Sequence, residues 1–236
     1  MANRQLIAGV DSSTQSVKVV IRDAHTGELV RQGRASHPDG TEVDPAHWLT
    51  AILAAFKDAG GLDDVEAISI AGQQHGMVAL DSDGEVIRPA LLWNDTRSAK
   101  EADDLNREVG GDPVIARKVG SKLVASFTAS KVRWMADHEP QNASRVASIA
   151  LPHDWLSWQL QGGKDLSKLF TDRSDASGTG YFDPSTSHYR DEIVRLALRH
   201  DQNFTLPRII EPSQFGGTTL AGIPIAAGAG DNAGAA

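Results

Sequence analysis

Four short stretches of this 236-residue chain hold side chains that could do chemistry together. Asp11-Ser12-Ser13-Thr14-Gln15-Ser16 places a carboxylate ahead of a run of hydroxyls. A carboxylate there can orient Mg²⁺ while hydroxyls and backbone N–H groups face phosphate oxygens, and Lys18 nearby could add a positive charge. Gly72-Gln73-Gln74-His75-Gly76 sets two carboxamides and an imidazole between glycines. Such neutral donors and acceptors suit the hydroxyls and carbonyl of a sugar, because a buried polar group left unpaired costs about 1–3 kcal/mol and so enforces selectivity. Leu92-Trp93-Asn94-Asp95-Thr96-Arg97 offers a ring face for C–H groups and polar heads for hydroxyls. In Gly228-Ala229-Gly230-Asp231-Asn232, Asp231 falls beyond a strand, where ligands of α/β sheets collect. It could take the proton from a hydroxyl that attacks a phosphoryl group. Each pattern also has an ordinary structural reading: a polar turn at Asp11, a capping His75, a core Trp93 followed by a helix cap, and Asp231 as an N-cap.

The elements that must position these residues follow from the hydrophobic pattern. Leu6–Val10 reads as a buried strand, Val17–Ile21 as a second and Glu28–Arg34 as a third, a meander rather than strand–turn–helix. Asp44-Pro45 opens a helix with Trp48, Leu49, Ile52, Leu53 and Phe56 on one side, and Gly60-Gly61 ends it. Val65–Ala71 and Met77–Leu80 read as strands flanking the GQQHG turn. Arg97 to about Pro140 is helical, broken at Gly110-Gly111 and Gly120. A strand at Ala147–Leu151, helices at Asp154–Gln161 and Tyr189–His200, and a last strand at Ile223–Ala227 complete the series, with Asp172–Thr179 as a loop. The class is α/β.

Composition excludes several functions. The 31 acidic and 23 basic residues give a net charge of −8, and no basic run offers the patch a nucleic-acid binder needs. With no cysteine, there is no disulfide framework, thiolate metal site or Cys nucleophile. The start Met1-Ala2-Asn3-Arg4-Gln5 lacks the apolar stretch of a signal peptide, and no run of 18 apolar residues could span a bilayer. The expectation is a cytoplasmic protein. His37, His47, His138, His188 and His200 have no metal-ligand spacing. Walker, G-x-S-x-G, H-E-x-x-H and dinucleotide fingerprints are missing too.

The order of these stretches resembles the FGGY carbohydrate kinases: Asp11 in its hairpin, GQQHG at 72–76, LLWNDTR at 91–97 and GAGDN at 228–232. Ser126–His138 is similar to the family's first signature at its small or hydroxyl, Lys, Trp and terminal positions, and DRSDASGT at 172–179 looks like a loop of the xylulose-phosphorylating members. The resemblance implies a ribonuclease H-like (actin-like ATPase) domain, a mixed sheet flanked by helices. It implies D-xylulose and Mg-ATP as ligands, the alternatives being another sugar or polyol kinase of the family, ribulose- or gluconate-specific, or a non-catalytic actin-like sugar-sensing module. It allows a homodimer, while composition leaves no nucleic-acid or membrane partner expected. By the same resemblance Asp231 is the catalytic base, and Gln74, His75, Trp93, Asn94, Asp95 and Asn232 contact the sugar. Asp11, Ser12, Ser13, Thr14 and Gln15 form the phosphate and Mg²⁺ loop, Asp11 being the metal-side carboxylate. Gln74 departs from the Met of many bacterial members. Because Ala233-Gly234-Ala235-Ala236 follows so soon after Asp231, residues 1–236 are expected to be the N-terminal, sugar-binding half, without the nucleotide-binding domain and without turnover alone.

Overall fold

Leu6, Ala8, Val10 and Ser12 are buried while Ile7 and Asp11 between them are exposed, the alternation of a strand with one face on a core. In the computed structural model, which describes residues 4–234, this strand is β1 (Leu6–Ser12). It pairs antiparallel with β2 (Ser16–Asp23), and β2 with β3 (Leu29–Ser36). On its other side β1 pairs in parallel with β4 (Val65–Gly72). β5 (Phe215–Thr218) and β6 (Pro224–Ala226) continue the sheet beyond β4, and β7 (Ala229–Gly230) lies alongside the end of β4. The result is a seven-stranded mixed sheet ordered β5-β6-β4-β1-β2-β3, with β7 also beside β4. The expected meander is present. The readings that concern Met1–Asn3 and Ala235–Ala236 lie outside the described residues.

The major helices are α1 (Ala46–Asp58), α2 (Ala99–Glu108), α3 (Asp112–Val119), α4 (Thr128–His138), α5 (Pro152–Leu160), α6 (Arg173–Ala176) and α7 (Asp191–Leu198). Pro45 already has helical dihedrals, and Asp44 Oδ1 accepts the Ala46 N–H at 2.9 Å, so Asp44 caps α1 as its position before proline suggests. Trp48, Ile52 and Phe56 bury against the sheet, where Trp155 of α5 meets Trp48 edge-on with ring centroids 6.3 Å apart. A second core forms where α2, α3, α4 and α7 meet, around Leu105, Ile115, Val132, Met135 and Ile193. None of the helices of the described residues is long and apolar enough to cross a membrane.

Three expectations need correction. Leu53 is 52% exposed rather than part of the core; at 3.6 residues per turn it falls on the margin of the buried stripe, where it borders a shallow apolar groove with Leu49 and Leu220. The helical run from Arg97 breaks at the expected glycines, but residues 121–127 do not resume a helix before α4. Most consequentially, Asp172–Thr179 is not a loop. Asp172 Oδ1 accepts the N–H groups of Ser174 and Asp175 at 2.7 and 3.1 Å, capping α6, and a 3₁₀ turn at Ser177–Thr179 follows. Small polar side chains disfavour helix in water, but here they bond backbone inside the protein.

Candidate functional site

Register brings the candidate stretches together. Ser12 at the end of β1 lies opposite Gly72 at the end of β4, and Gly72 opposite Gly230 at the end of β7. The chain therefore leaves three mutually parallel strands at one edge of the sheet, as Ser13–Gln15, Gln73–Gly76 and Asp231–Asn232. Ligand sites of open α/β sheets lie at such carboxyl ends. The cleft between these segments has a volume of about 180 Å³ and is lined by Thr14, Gln74, His75, Trp93, Asp231 and Asn232.

Most of the lining is fixed before any ligand arrives. Gln74 donates from Nε2 to the Ser174 carbonyl at 3.1 Å and accepts the Asn232 amide at 2.9 Å, which decides which end of its carboxamide faces which neighbour. His75 has a positive φ of 68°, rare for a residue with a Cβ, and its Nδ1 lies 2.7 Å from the Gly178 carbonyl. Since a carbonyl only accepts, Nδ1 carries the proton. Burial lowers the proton affinity of the ring, outweighing the opposing pull of the Gly178 bond, so Nε2 remains a lone-pair acceptor for a hydroxyl. Phe127 packs edge-on against the imidazole at 5.0 Å. The Trp93 indole is half exposed and donates to Thr14 Oγ1 at 2.8 Å, so the aromatic wall is tied to the turn after β1.

Asp231 is partly buried, and desolvation raises its carboxyl above the usual carboxylate range, with the charge of Asp11 adding to the shift. A carboxylate so placed is a stronger base than one in water. Asp11 lies across from Lys18 in the β1–β2 register and accepts the Ser13 hydroxyl at 2.6 Å. Both line a groove of about 340 Å³ floored by Gly9, Ser69, Ala71 and Gly234. An exposed carboxylate at the mouth of a small-residue groove, close enough to Asp231 to raise it, fits an oxygen ligand for Mg²⁺ beside phosphate.

Asn94 and Asp95 lie outside the cleft lining. Asn94 turns to the Gly40 carbonyl at 3.5 Å, and buried Asp95 accepts from Thr41, from the Arg97 N–H and from its guanidinium. Desolvation opposes ionisation of Asp95, but its bonds to Arg97 and Thr41 win and hold it below the usual range. Ser12 is buried beneath the phosphate-type turn, where its carbonyl accepts from Gln73 N–H; Gln15 is exposed. Sequence reasoning missed several supports. Ser174 and Gly178 supply the carbonyls that orient Gln74 and His75, and Ser174 Oγ also accepts the Gly230 N–H at 3.0 Å. His37, set aside in the sequence for want of metal-ligand spacing, is buried and bonds the Ser13 carbonyl through Nδ1 at 2.9 Å. The small-residue run DRSDASGT was the one available signal for Ser174 and Gly178.

This arrangement, a hydroxyl-rich turn, a small polar cleft and a carboxylate in its lining, sits on a fold shared with sugar kinases. The chain belongs to the FGGY family of carbohydrate kinases, matching the family's N-terminal domain over residues 6–236. It is 43% identical to the xylulose kinase of Streptomyces coelicolor over 249 residues, covering all of this chain and 50% of that protein. Against the xylulose kinase of Escherichia coli K12 the identity is 34%, covering 95% of this chain and 48% of the relative. The crystal structure of xylulose kinase from Bifidobacterium adolescentis superposes with a TM-score of 0.91 at 44% identity, over 98% of this chain and 54% of that one. The chain thus spans about half the length of the curated relatives it matches.

Proposed function

We propose that this chain is the sugar-binding half of an ATP-dependent kinase that phosphorylates D-xylulose at a terminal hydroxyl. The observation that carries the reading is the convergence of Asp231, Gln74, His75, Asn232, Trp93 and Thr14 on one cleft at the ends of parallel strands. The relatives named for xylulose phosphorylation support the choice of sugar.

In this mechanism the neutral imidazole of His75 accepts a sugar hydroxyl at Nε2, and the Gln74–Asn232 pair fixes the opposite side of the ketose. Asp231 takes the proton from the attacking hydroxyl, whose oxygen then displaces ADP from the γ-phosphorus in line. Mg²⁺, held by Asp11, would offset charge on the phosphate oxygens. The Ser13 hydroxyl donates to Asp11, and Lys18 lies across the strand pair from it.

Asp231→Asn removes the base and leaves the cleft its shape. In the protein extended to its relatives' length, D-xylulose-dependent ADP release should fall by at least about a thousandfold with sugar affinity nearly unchanged. An Asn variant that still transfers phosphate sinks the assignment.

A further inference from the structure

His153, at the start of α5, is completely buried among three carboxylates. Its Nε2 lies 2.8 Å from Asp172 Oδ2, while Nδ1 lies 2.8 Å from Asp154 Oδ1 and 3.0 Å from Asp175 Oδ2. Asp154 Oδ1, both oxygens of buried Asp175 and Nδ1 itself all lack an aligned hydrogen bond, so the ring meets these two side chains through charge and proximity, and its one aligned hydrogen bond is from Nε2 to Asp172. Nε2, bonded to Asp172, carries a proton, and the carboxyl groups crowded around Nδ1 favour a second proton there, which makes the ring an imidazolium. Burial opposes that charge, but the carboxylates of Asp175, Asp154 and Asp172 outweigh it and raise His153 well above the usual imidazole value. Removing the cation would strand up to three carboxylates in the interior, the costly case for a buried ion cluster.

One residue, Ser174, separates the cluster from the cleft. Asp172 spends Oδ2 on His153 and Oδ1 on the Ser174 N–H, the Ser174 hydroxyl and the Asp175 N–H. Ser174 then passes the constraint on in two directions, through its carbonyl to Gln74 Nε2 and through its hydroxyl oxygen to the N–H of Gly230, the residue before Asp231. His153 also packs directly beneath the strands that carry the site. A Cβ on Gly72 would come within 2.9 Å of the His153 Cβ, and one on Gly228 within 2.7 Å of its ring.

We propose that His153 is a positioning residue for the sugar cleft: its charged ring holds Asp172 in the orientation that caps α6, and α6 fixes both the Gln74 carboxamide and the backbone entering Asp231. This rests on the cleft being the sugar site. The competing occupant of the same cluster is a divalent cation, since an imidazole and carboxylates are also metal ligands. Nε2 faces away from Nδ1 toward a third carboxylate, and its 2.8 Å separation from Asp172 is that of a charge-assisted hydrogen bond, not of a metal ligand pair.

The test uses the 236-residue chain. Nitrogen-15 NMR of the wild-type ring should show both nitrogens protonated at pH 7, a measurement that stands whether or not any variant folds. His153→Leu should speed amide hydrogen exchange at Gly230 and weaken D-xylulose binding, read by tryptophan fluorescence, each by at least about tenfold. His153→Lys, which keeps a cation, should restore both to within about threefold of wild type. A neutral ring at pH 7, a stoichiometric metal in the purified protein, or His153→Leu with unchanged exchange at Gly230 would each overturn the proposal. Should the wild-type chain bind no D-xylulose, the sugar assignment falls, while the exchange comparison still decides the role of His153.

Discussion

The protonation of His75 is set by two neighbours of opposite effect. Burial disfavours the charged ring, while the Gly178 carbonyl at 2.7 Å favours a proton on Nδ1; the outcome is a neutral ring that donates inward and accepts outward. Its affinity for protons is below the ordinary imidazole value of 6.5, so the unfolded chain takes up a proton first as the pH falls. The contribution of His75 to stability is therefore complete above about pH 6.5 and declines below it. Sugar affinity should likewise stay level between about pH 6.5 and 8 and weaken toward pH 5, where Nε2 gains the proton that abolishes its lone pair. Fluorescence titrations with D-xylulose, run beside a titration of the His75 ring itself, check this: affinity unchanged through the pH at which the ring takes up its proton would show that Nε2 accepts nothing from the sugar. The types of Gln74, His75 and Asp231 were legible in the sequence because the chemistry they suit depends on side-chain identity. The tautomer of His75 and the facing of the Gln74 amide were not, because Ser174 and Gly178 lie 100 and 103 residues away.

Among the elements, α1 and the opening meander could be read directly. Asp44-Pro45, the apolar stripe and Gly60-Gly61 are local signals, and the two glycines end α1 with positive φ values of 83° and 88°. The contact between α1 and β3 is close enough to need a third glycine. A Cβ on Gly33 would fall 2.2 Å from the Ala55 carbonyl oxygen and 2.5 Å from the Ala59 nitrogen. Both are backbone atoms, so no rotamer change relieves the clash, and the helix must move off the strand. Gly33→Ala should cost about 1–3 kcal/mol in urea unfolding and leave the sugar affinity of the folded fraction unchanged. A variant as stable as wild type would mean that α1 packs further from β3. The helical segment α6 escaped sequence reasoning for the opposite reason: its cap at Asp172 looks like a turn signal, and the packing that stabilises it comes from His153 of α5 and from β7.

At the scale of the whole molecule, the chain supplies a polar cleft with the Asp231 carboxyl in its lining, and it matches half of relatives twice its length. Asp11 lines an open groove of about 340 Å³, and Asp231 lines the polar cleft. Phosphoryl transfer needs a second surface to hold the nucleotide and to exclude water around the reacting atoms. The 236-residue chain alone is therefore expected to bind D-xylulose without measurable ADP release, and the protein at its relatives' length to turn over. Equal turnover by both would show that this half holds ATP in a competent geometry unaided.

What the sequence determined by itself is local: the α/β class, the β1–β3 meander, the capped and glycine-terminated α1, and the residue types able to bind a sugar and accept its proton. These follow from period, capping and side-chain chemistry within a few residues. Tertiary structure alone decided which of those residues meet. Parallel pairing of β1, β4 and β7 gathers Thr14, Gln74 and Asp231 from positions more than 200 residues apart at the extremes, while Asp95 is drawn away into its bonds with Thr41 and Arg97. The charged cluster at His153 belongs to the same category, because its partners Asp172 and Asp175 reach it only once α5 and α6 are packed together.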